Sequence, residues 1–472
     1  MTKYISSRDA SAVVGGDRAV LDCFASDGGL YVPQTLPILS YKDMLDLDYV
    51  GRADKVLRAF FDFDVGGIAE KAFADFDDPA PTVKIDDNAF IVELWHGKAC
   101  SSKDMALCVL PMLIERAKAK LNISSDTIIP FAASDETGVA VAQAFAGVKG
   151  TEAIIFYSRD ELSELNKREL AAVKDSNVCA VGVTASYDLI RFAVKSAYSD
   201  VGLTAALKEN NKFSADVSSA NIGIIVPQIA YFFSAYCDLV NSDEIKAGDK
   251  IDFVLPIDDF GGIIAGYYAA QIGLPINKLV TAGTKHAAFI DFIDSGEYDT
   301  NGAIDTLPYD LERLLFALSG NNAELTAARM NELNTVGRFS VTESEMGALR
   351  LFAGSNTGDA DIKNAIADMF DEYGYTVDVR TAAACFAALK REFVRPTAVL
   401  SVADPYRSAK AVLSALGEKP PMDIEQQFRH MEEITACEPT EALVNALSAK
   451  PSDNAIPLSD IAKFLSEKYC KK

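Results

Sequence analysis

Four polar turns in this sequence each connect an apolar run to a helical pattern, and their residue types could support chemistry. The turns comprise residues 94–104, 132–138, 257–262 and 401–406. In open parallel sheets, ligands bind at the carboxyl ends of the strands, so side chains in such turns face a shared crevice. The first turn carries Lys103, whose amine would reach into that crevice. The alternative is a solvated surface lysine near a helix start, which is the commoner situation.

The second turn combines hydroxyl groups with the start of a helix. Ser134, Thr137 and Gly138 lie where backbone N–H groups face the positive end of a helix, and such an arrangement can hold an anion. The alternative is an ordinary N-cap, in which Ser134 or Asp135 accepts hydrogen bonds from the first turn and Glu136 complements the helix dipole. The residues alone favour the N-cap.

The third turn, residues 257–262, contains two carboxylates and two glycines. Gly261 and Gly262 would let the backbone approach a phosphate closely. Asp258 and Asp259 would oppose a phosphate, because each carboxylate about 4 Å away costs roughly 4 kcal/mol at an effective dielectric of about 20. The carboxylates could instead point away, since only backbone donors need to face the ligand.

The elements that would position these turns follow an alternating pattern. Short apolar runs such as 127–129, 153–156 and 251–256 are separated by helical stretches. This alternation is typical of βαβ units and of parallel sheets flanked by helices.

The chain is long enough for more than one domain. We predict an N-terminal α+β domain over residues 1–85, the main α/β domains over residues 86–300, and a mainly helical C-terminal part over residues 301–472 that returns a strand to the sheet. That strand, residues 397–401, is isolated between prolines and is expected to close an edge of the sheet.

Composition and charge exclude several classes of function. The chain has 45 basic and 68 acidic side chains and a formal net charge of −23. This negative field opposes nucleic acids and anionic membranes, so neither is expected as a partner. The eight cysteines are scattered and the three histidines do not cluster, so no metal site is expected and the thiols should be reduced. The first residues lack the basic-then-apolar pattern of a signal peptide, and we expect a cytoplasmic location.

Motifs in the same order along the chain resemble those of one enzyme family, the threonine synthases of the longer microbial and fungal type. The matching segments are Asp27-Gly28-Gly29-Leu30-Tyr31-Val32-Pro33, His96-Gly97 with Lys103-Asp104, Ser134 with Thr137-Gly138, Ser219-Ala220-Asn221, and Phe260-Gly261. The resemblance covers nearly the whole chain. It implies an α/β protein with the fold type II scaffold of enzymes that use pyridoxal 5'-phosphate (PLP), in which parallel sheets are flanked by helices, plus a small N-terminal domain.

The resemblance also implies roles for individual residues. The residues that it assigns are Lys103 as the catalytic lysine that forms the Schiff base with PLP, Asp258, Asp259, Phe260 and Gly261 around the cofactor, and Ser134, Thr137, Gly138 and Asn221 at the substrate. The implied reaction is a lyase reaction that converts O-phosphohomoserine, a phosphorylated amino acid, and water to threonine and phosphate. A monomer or a homodimer would carry it out.

Departures from the family pattern are concentrated in the loops that would bind anions. Asp258 and Asp259 replace the Gly and Asn of the family's phosphate loop. Asp135 and Glu136 replace the Gly and Asp of its second loop. These substitutions add negative charge where the resemblance implies phosphate groups.

Three other departures concern the substrate and the cofactor ring. The segment after Asn221 is shortened, which removes an arginine expected near the substrate phosphate. Val402 replaces a threonine that faces the pyridine nitrogen, and residues 306–311 abbreviate a serine-rich loop. The alternative function is therefore a catalytically impaired paralogue that has lost PLP or substrate phosphate binding and serves as a binding or regulatory protein.

Overall fold

The fold is given by a computed structural model that describes residues 2–283, 287–300 and 308–469. Its strands are β1 (Tyr4–Ser6), β2 (Tyr31–Pro33), β3 (Thr82–Asp86), β4 (Ala89–Glu93), β5 (Asp126–Ala133), β6 (Thr151–Ser158), β7 (Val178–Thr184), β8 (Lys212–Ser214), β9 (Ile251–Pro256), β10 (Ile276–Gly283), β11 (Glu297–Asp299), β12 (Arg338–Ser340), β13 (Phe352–Asn356), β14 (Thr397–Ser401) and β15 (Ala455–Pro457). Its α-helices are α1 (Gly16–Asp22), α2 (Tyr49–Phe60), α3 (Ile68–Ala72), α4 (Asp104–Leu107), α5 (Leu110–Lys120), α6 (Glu136–Phe145), α7 (Glu164–Ala172), α8 (Tyr187–Ser199), α9 (Val201–Glu209), α10 (Ile222–Asn241), α11 (Phe260–Gln271), α12 (Ala287–Ser295), α13 (Leu311–Leu318), α14 (Ala323–Val336), α15 (Glu343–Leu349), α16 (Asp359–Tyr373), α17 (Val379–Leu389), α18 (Ala409–Ala415), α19 (Ile424–Thr435), α20 (Glu441–Leu447) and α21 (Ile461–Tyr469). Four residues that entered the predictions lie outside the described residues: His286 and Cys470, counted above among the histidines and cysteines, and Thr306 and Leu307 of the 306–311 segment.

One sheet has six strands in the order β13-β10-β9-β14-β4-β3. Neighbouring strands pair in parallel, except that β3 is antiparallel to β4. All residues of β9 and β14 are buried. Strands covered on both faces read as apolar runs, and residues 253–255 of β9 and 398–400 of β14 are such runs. The prediction that residues 397–401 close an edge of the sheet is wrong, because this strand, β14, lies between β9 and β4.

A second sheet has five strands in the order β15-β7-β6-β5-β8, and every pair in it is parallel. Helices α6 and α7 connect β5 to β6 and β6 to β7, as the alternating sequence pattern predicted. The predicted fold class, an α/β protein with parallel sheets flanked by helices, is confirmed. The domain boundaries at residues 85 and 300 stay predictions.

Helix α10 lies inside the protein. Among the described helices it alone is long and apolar enough to cross a bilayer by length and composition, but 89% of its apolar window is buried within the protein. It packs against α2 and α11. Arg52 of α2 donates to Ser234 Oγ at 2.9 Å and pairs with Asp238 Oδ1 at 2.5 Å. The position of α10 in the core therefore accounts for its high hydropathy.

The Asp27-Gly28-Gly29 turn connects to the N-terminal strands β1 and β2, which pair antiparallel. Gly28 has φ +79°, a conformation that favours glycine. A Cβ on Gly29 would lie 2.3 Å from Ser6 Oγ, and that hydroxyl donates to Asp27 Oδ1 at 2.8 Å. The backbone geometry of the turn thus explains both glycines of this motif.

Candidate active site

The four polar turns meet at the carboxyl ends of β4, β5, β9 and β14. Lys103 Nζ lies 3.0 Å from Asp259 Oδ1, which joins the first turn to the third. The N–H of Ser102 donates to the carbonyl of Val402 at 2.8 Å, which joins the first turn to the fourth. The second turn contributes Glu136, whose carboxylate interacts electrostatically with Lys103. Turns from both sheets thus meet at Lys103, at a junction that we call the cleft, and two of these turns are acidic.

Asp104 holds the loop that precedes Lys103. Its buried Oδ2 accepts a hydrogen bond from the N–H of Ala99 at 2.9 Å. A Cβ on Gly97 would lie 2.5 Å from the Cβ of Asp104, so glycine is required there. Burial raises the pKa of Asp104 to about 7, although the N–H of Ala99 and the charge of Arg407 act to lower it. The two halves of the motif, His-Gly and Lys-Asp, are thus opposite sides of one packed loop that orients the lysine.

Lys103 and Asp259 form a mostly buried ion pair. Their side chains are 22% and 13% exposed. Burial lowers the pKa of Lys103, but the charges of Asp259 and Glu136 outweigh both burial and the repulsion by Arg380, so the pKa is raised. Lys103 is therefore an ammonium ion at neutral pH, and its amine is not free to react.

Asp259 precedes helix α11 but does not cap it. Within the described residues, its carboxylate accepts no hydrogen bond from the first turn of α11, although an Asp at this position ordinarily does. The N–H groups of that turn have no partner inside the helix. Phe260 anchors the helix start, with its ring centroid 4.8 Å from that of Phe289. Gly261 packs closely on α10, since an added Cβ would lie 3.3 Å from Ile225 Cδ1. The start of α11 can therefore accept an anion such as a phosphate.

The second turn begins helix α6 with an ordinary N-cap, the alternative that the residues favoured. Asp135 Oδ1 accepts from the N–H of Thr137 at 2.9 Å, and Ser134 is exposed. A Cβ on Gly138 would lie 2.3 Å from the Cβ of Ala133. Glycine is thus required for α6 to pack on β5. Substrate contacts by Ser134, Thr137 and Gly138 stay predictions.

Sequence reasoning missed Arg380, which pairs with Glu136 across the cleft. Arg380 Nη2 lies 2.5 Å from Glu136 Oε1, and it belongs to α17, which packs on the six-stranded sheet. Glu136 begins α6, which packs on the five-stranded sheet. Burial would raise the pKa of Glu136, but the charges of Arg380, Arg407 and Lys103 outweigh burial and lower it to about 2. The available signal was Glu136 itself, because a buried carboxylate requires a cationic partner.

A second buried ion pair also crosses the cleft. Arg407 Nη2 lies 2.5 Å from Glu169 Oε1 of α7. Arg407 also donates from Nε to the carbonyl of Cys100 at 3.2 Å, in the loop that precedes Lys103. Both arginines of the cleft, Arg380 and Arg407, are thus already paired with carboxylates.

The amide of Asn221 has a structural role at the start of α10. Its Oδ1 accepts from the N–H of Gly223 at 2.9 Å, and its Nδ2 donates to the carbonyls of Val20 at 2.9 Å and Asp216 at 3.0 Å. The residue is fully buried. These contacts account for an asparagine at this position, and its predicted role at the substrate stays a prediction.

The residues around Lys103 fit PLP on one condition. Lys103 supplies the amine, and the start of α11 supplies donors for a phosphate. Ser102 Oγ, beside the lysine, is buried and has no hydrogen-bond partner within the described residues, so a polar ligand group could pair with it. Val402 cannot form a side-chain hydrogen bond with the ring nitrogen of PLP. The Asp259 carboxylate forms an ion pair with the Lys103 amine, which the cofactor would need. PLP therefore fits when the Lys103–Asp259 pair opens.

The sequence is similar to threonine synthases and to threonine synthase-like proteins. The family model for the threonine synthase N terminus matches residues 3–72. Threonine synthase of Pseudomonas aeruginosa is 27% identical over 480 residues, which cover 97% of this chain and 100% of that protein. Human threonine synthase-like 1 is 28% identical over 449 residues, which cover 88% of this chain. The match spans 60% of the length of that longer relative.

Solved structures of threonine synthases have the same architecture as this chain. PLP-bound threonine synthase from Brucella melitensis matches over 100% of both chains, with a TM-score of 0.85 and 26% identity. Yeast threonine synthase matches with a TM-score of 0.86 over 99% of this chain and 97% of that chain, and at 24% identity this likeness bears on the fold alone. The chain is thus similar in sequence to threonine synthases over almost its whole length, and it shares their architecture, the fold type II scaffold of PLP-dependent enzymes.

Proposed function

We propose that this chain is a PLP-dependent enzyme of the threonine synthase type that uses Lys103 to hold the cofactor. The observation that carries the proposal is the position of Lys103 Nζ at the uncapped start of α11, 3.0 Å from Asp259 Oδ1. A lysine amine and a helix start that accepts a phosphate are two groups that a PLP site needs. The Brucella relative supports the same cofactor, since its structure is of PLP-bound threonine synthase.

The residues of the cleft have separate tasks in this proposal. The backbone N–H groups at Phe260 and Gly261 would hold the cofactor phosphate at the start of α11. Lys103 Nζ would hold the cofactor and would move protons to and from the substrate carbons. Asp104 keeps the lysine in place through its hydrogen bond from the N–H of Ala99. When bound, PLP supplies an electron sink at the amino-acid substrate.

The proposed substrate is O-phosphohomoserine, which reacts with water to give threonine and phosphate. Its support is the order of family motifs along the chain, together with the Pseudomonas threonine synthase that matches over 97% of this chain. A cytoplasmic location and a monomeric or homodimeric state belong to the same proposal.

The test is an absorption spectrum followed by a phosphate assay on the purified full chain. PLP should acquire the visible absorption of a lysine-attached cofactor with wild type but not with Lys103→Ala. The matched control is Lys98→Ala, because Lys98 is 61% exposed and pairs with Asp75 at 2.8 Å, and this variant should keep the absorption. Release of phosphate from O-phosphohomoserine would then confirm the substrate. Absorption without phosphate release rejects the substrate, and no absorption rejects the cofactor.

The second candidate is the catalytically impaired paralogue, and the ion pairs of the cleft favour it. Asp259 neutralises Lys103 and Glu136 neutralises Arg380, so each cation that an anionic ligand needs already has an anion. If this alternative holds, equilibrium dialysis of the folded protein should show no saturable PLP binding, even at high concentrations of PLP. Saturable binding that is lost in Lys103→Ala, together with release of phosphate from O-phosphohomoserine by wild type, would exclude it.

A further inference from the structure

We infer that Asp259 is an internal counter-ion that keeps Lys103 unavailable until a phosphorylated ligand reaches the start of α11. The inference rests on the proposed function, because it concerns how the same site is loaded. It gives Asp259 a positioning role that neither the sequence motif nor the family resemblance assigns.

The Asp259 carboxylate lies in a defined position. Its Oδ1 contacts Lys103 Nζ at 3.0 Å. Its Oδ2 lies beside Gly262, where an added Cβ would approach it to 2.9 Å. The hydroxyl of Tyr231 lies on the same side, 3.1 Å from that Cβ position. Gly262 thus provides the space in which the carboxylate can face the amine.

The Asp259 carboxylate pairs with Lys103 and not with the backbone N–H groups of the first turn of α11. A carboxylate that precedes a helix normally accepts hydrogen bonds from the first turn. Within the described residues, the Asp259 side chain makes no such bond to α11. The same carboxylate therefore blocks the amine and leaves the N–H groups of α11 open to a phosphate.

The other charges at Lys103 do not replace Asp259. Glu136 of α6 and Arg380 of α17 also act electrostatically on Lys103. They pair with each other at 2.5 Å, so their charges largely cancel. A phosphate at the start of α11 would repel the neighbouring Asp259 carboxylate. Movement of Asp259 then releases Lys103, so phosphate binding and access to the amine are coupled.

The first test measures the amine in protein freed of cofactor. Reductive methylation of Lys103 by formaldehyde and cyanoborohydride near neutral pH is followed by peptide mass spectrometry. Asp259→Asn should methylate about tenfold faster than wild type, because loss of the counter-ion lowers the pKa of Lys103 and leaves more free amine near neutral pH. Asp259→Ser, which can cap α11, is the second variant if Asp259→Asn does not fold.

The matched control is Asp258→Asn, which removes the same charge from the same turn. It should accelerate methylation less than about threefold, since the carboxylate within 4 Å of Lys103 Nζ among the described residues is that of Asp259, and a more distant charge acts more weakly. Equal acceleration in both variants would overturn the inference, because the general charge of the turn would then be responsible. No acceleration in Asp259→Asn would overturn it as well.

The second test compares PLP with pyridoxal, which lacks the phosphate. Wild type should attach PLP but react slowly with pyridoxal, whereas Asp259→Asn should react with both. If neither protein attaches PLP, the proposed function fails, and the methylation rates still decide the inference. If PLP attaches to wild type and the methylation rates of Asp259→Asn and wild type are equal, the inference fails and the proposed function stands.

Discussion

Replacing Glu136 by glutamine removes the charge that pairs with Arg380. The environment of Glu136 in the structure allows the expected loss of stability to be worked out. The pKa of Glu136 falls from its usual 4.5 to about 2 in the folded protein. At about 1.36 kcal/mol per pKa unit, this depression corresponds to about 3 kcal/mol of folding free energy. The side chain is only 9% exposed, so solvent screening reduces this value little. Because the folded-state pKa is depressed, the stabilisation is complete above pH 4.5 and is lost as the pH falls toward 2.

Urea unfolding followed by circular dichroism, near pH 7 and near pH 3, measures this loss. Glu136→Gln should be less stable than wild type by about 3 kcal/mol near pH 7 and by about 1 kcal/mol near pH 3. The control is Glu164→Gln, which removes a surface pair with Arg168 at 3.0 Å in which Glu164 is 53% exposed. It should change stability by less than about 0.5 kcal/mol at either pH. A loss in Glu136→Gln no larger than in this control would refute the conclusion that the Arg380 pair stabilises the cleft.

Three further substitutions test structural roles near the cleft. Asn221→Ala should lower the free energy of unfolding in urea by about 2 kcal/mol, because it leaves buried backbone groups unpaired; an unchanged value would contradict the structural role. Gly138→Ala should lower the free energy of unfolding by about 1 to 3 kcal/mol, and with it the thermal midpoint, because the added methyl group overpacks the contact with β5. The control is Gly347→Ala, which should leave the thermal midpoint unchanged or raised, because no described atom lies within 4 Å of its added Cβ. Equal midpoints for the two glycine variants would contradict this. Asp104→Asn should become more stable relative to wild type as the pH rises from 3.8 to about 7, because a carboxyl group with a raised folded-state pKa destabilises the fold over that range. Thermal midpoints of both proteins across this pH range test the prediction. A constant difference between the two midpoints would contradict the conclusion that burial raises the pKa of Asp104.

The architecture and the location of the cleft could be predicted from the sequence because both depend on short-range patterns. Mostly apolar runs such as residues 251–256, which contain Asp252 as their one charged residue, predict strands buried on both faces. The turns that follow such strands meet at one edge of a sheet, so Lys103 and residues 257–262 were expected to face each other. The 3.0 Å contact between Lys103 and Asp259 agrees with this expectation.

The sequence could not predict features that depend on side-chain direction or on strand order. The composition of residues 257–262 left open whether Asp259 faces the ligand or points away, and the structure shows that it faces Lys103. The place of residues 397–401 within the sheet depends on long-range pairing, which periodicity does not encode. Arg380 has no surrounding motif, and its role appears only when α17 and α6 meet across the cleft.

The attachment of PLP to Lys103 can be measured directly by borohydride reduction of the PLP-treated full chain followed by peptide mass spectrometry. Borohydride converts the lysine–PLP linkage to a stable secondary amine, so the modified peptide identifies the lysine. We predict one phosphopyridoxyl group per chain, on the peptide that contains Lys103. A group on Lys98 or on any other lysine in its place, or no labelled peptide at saturating PLP, would contradict the assignment of Lys103 as the cofactor lysine.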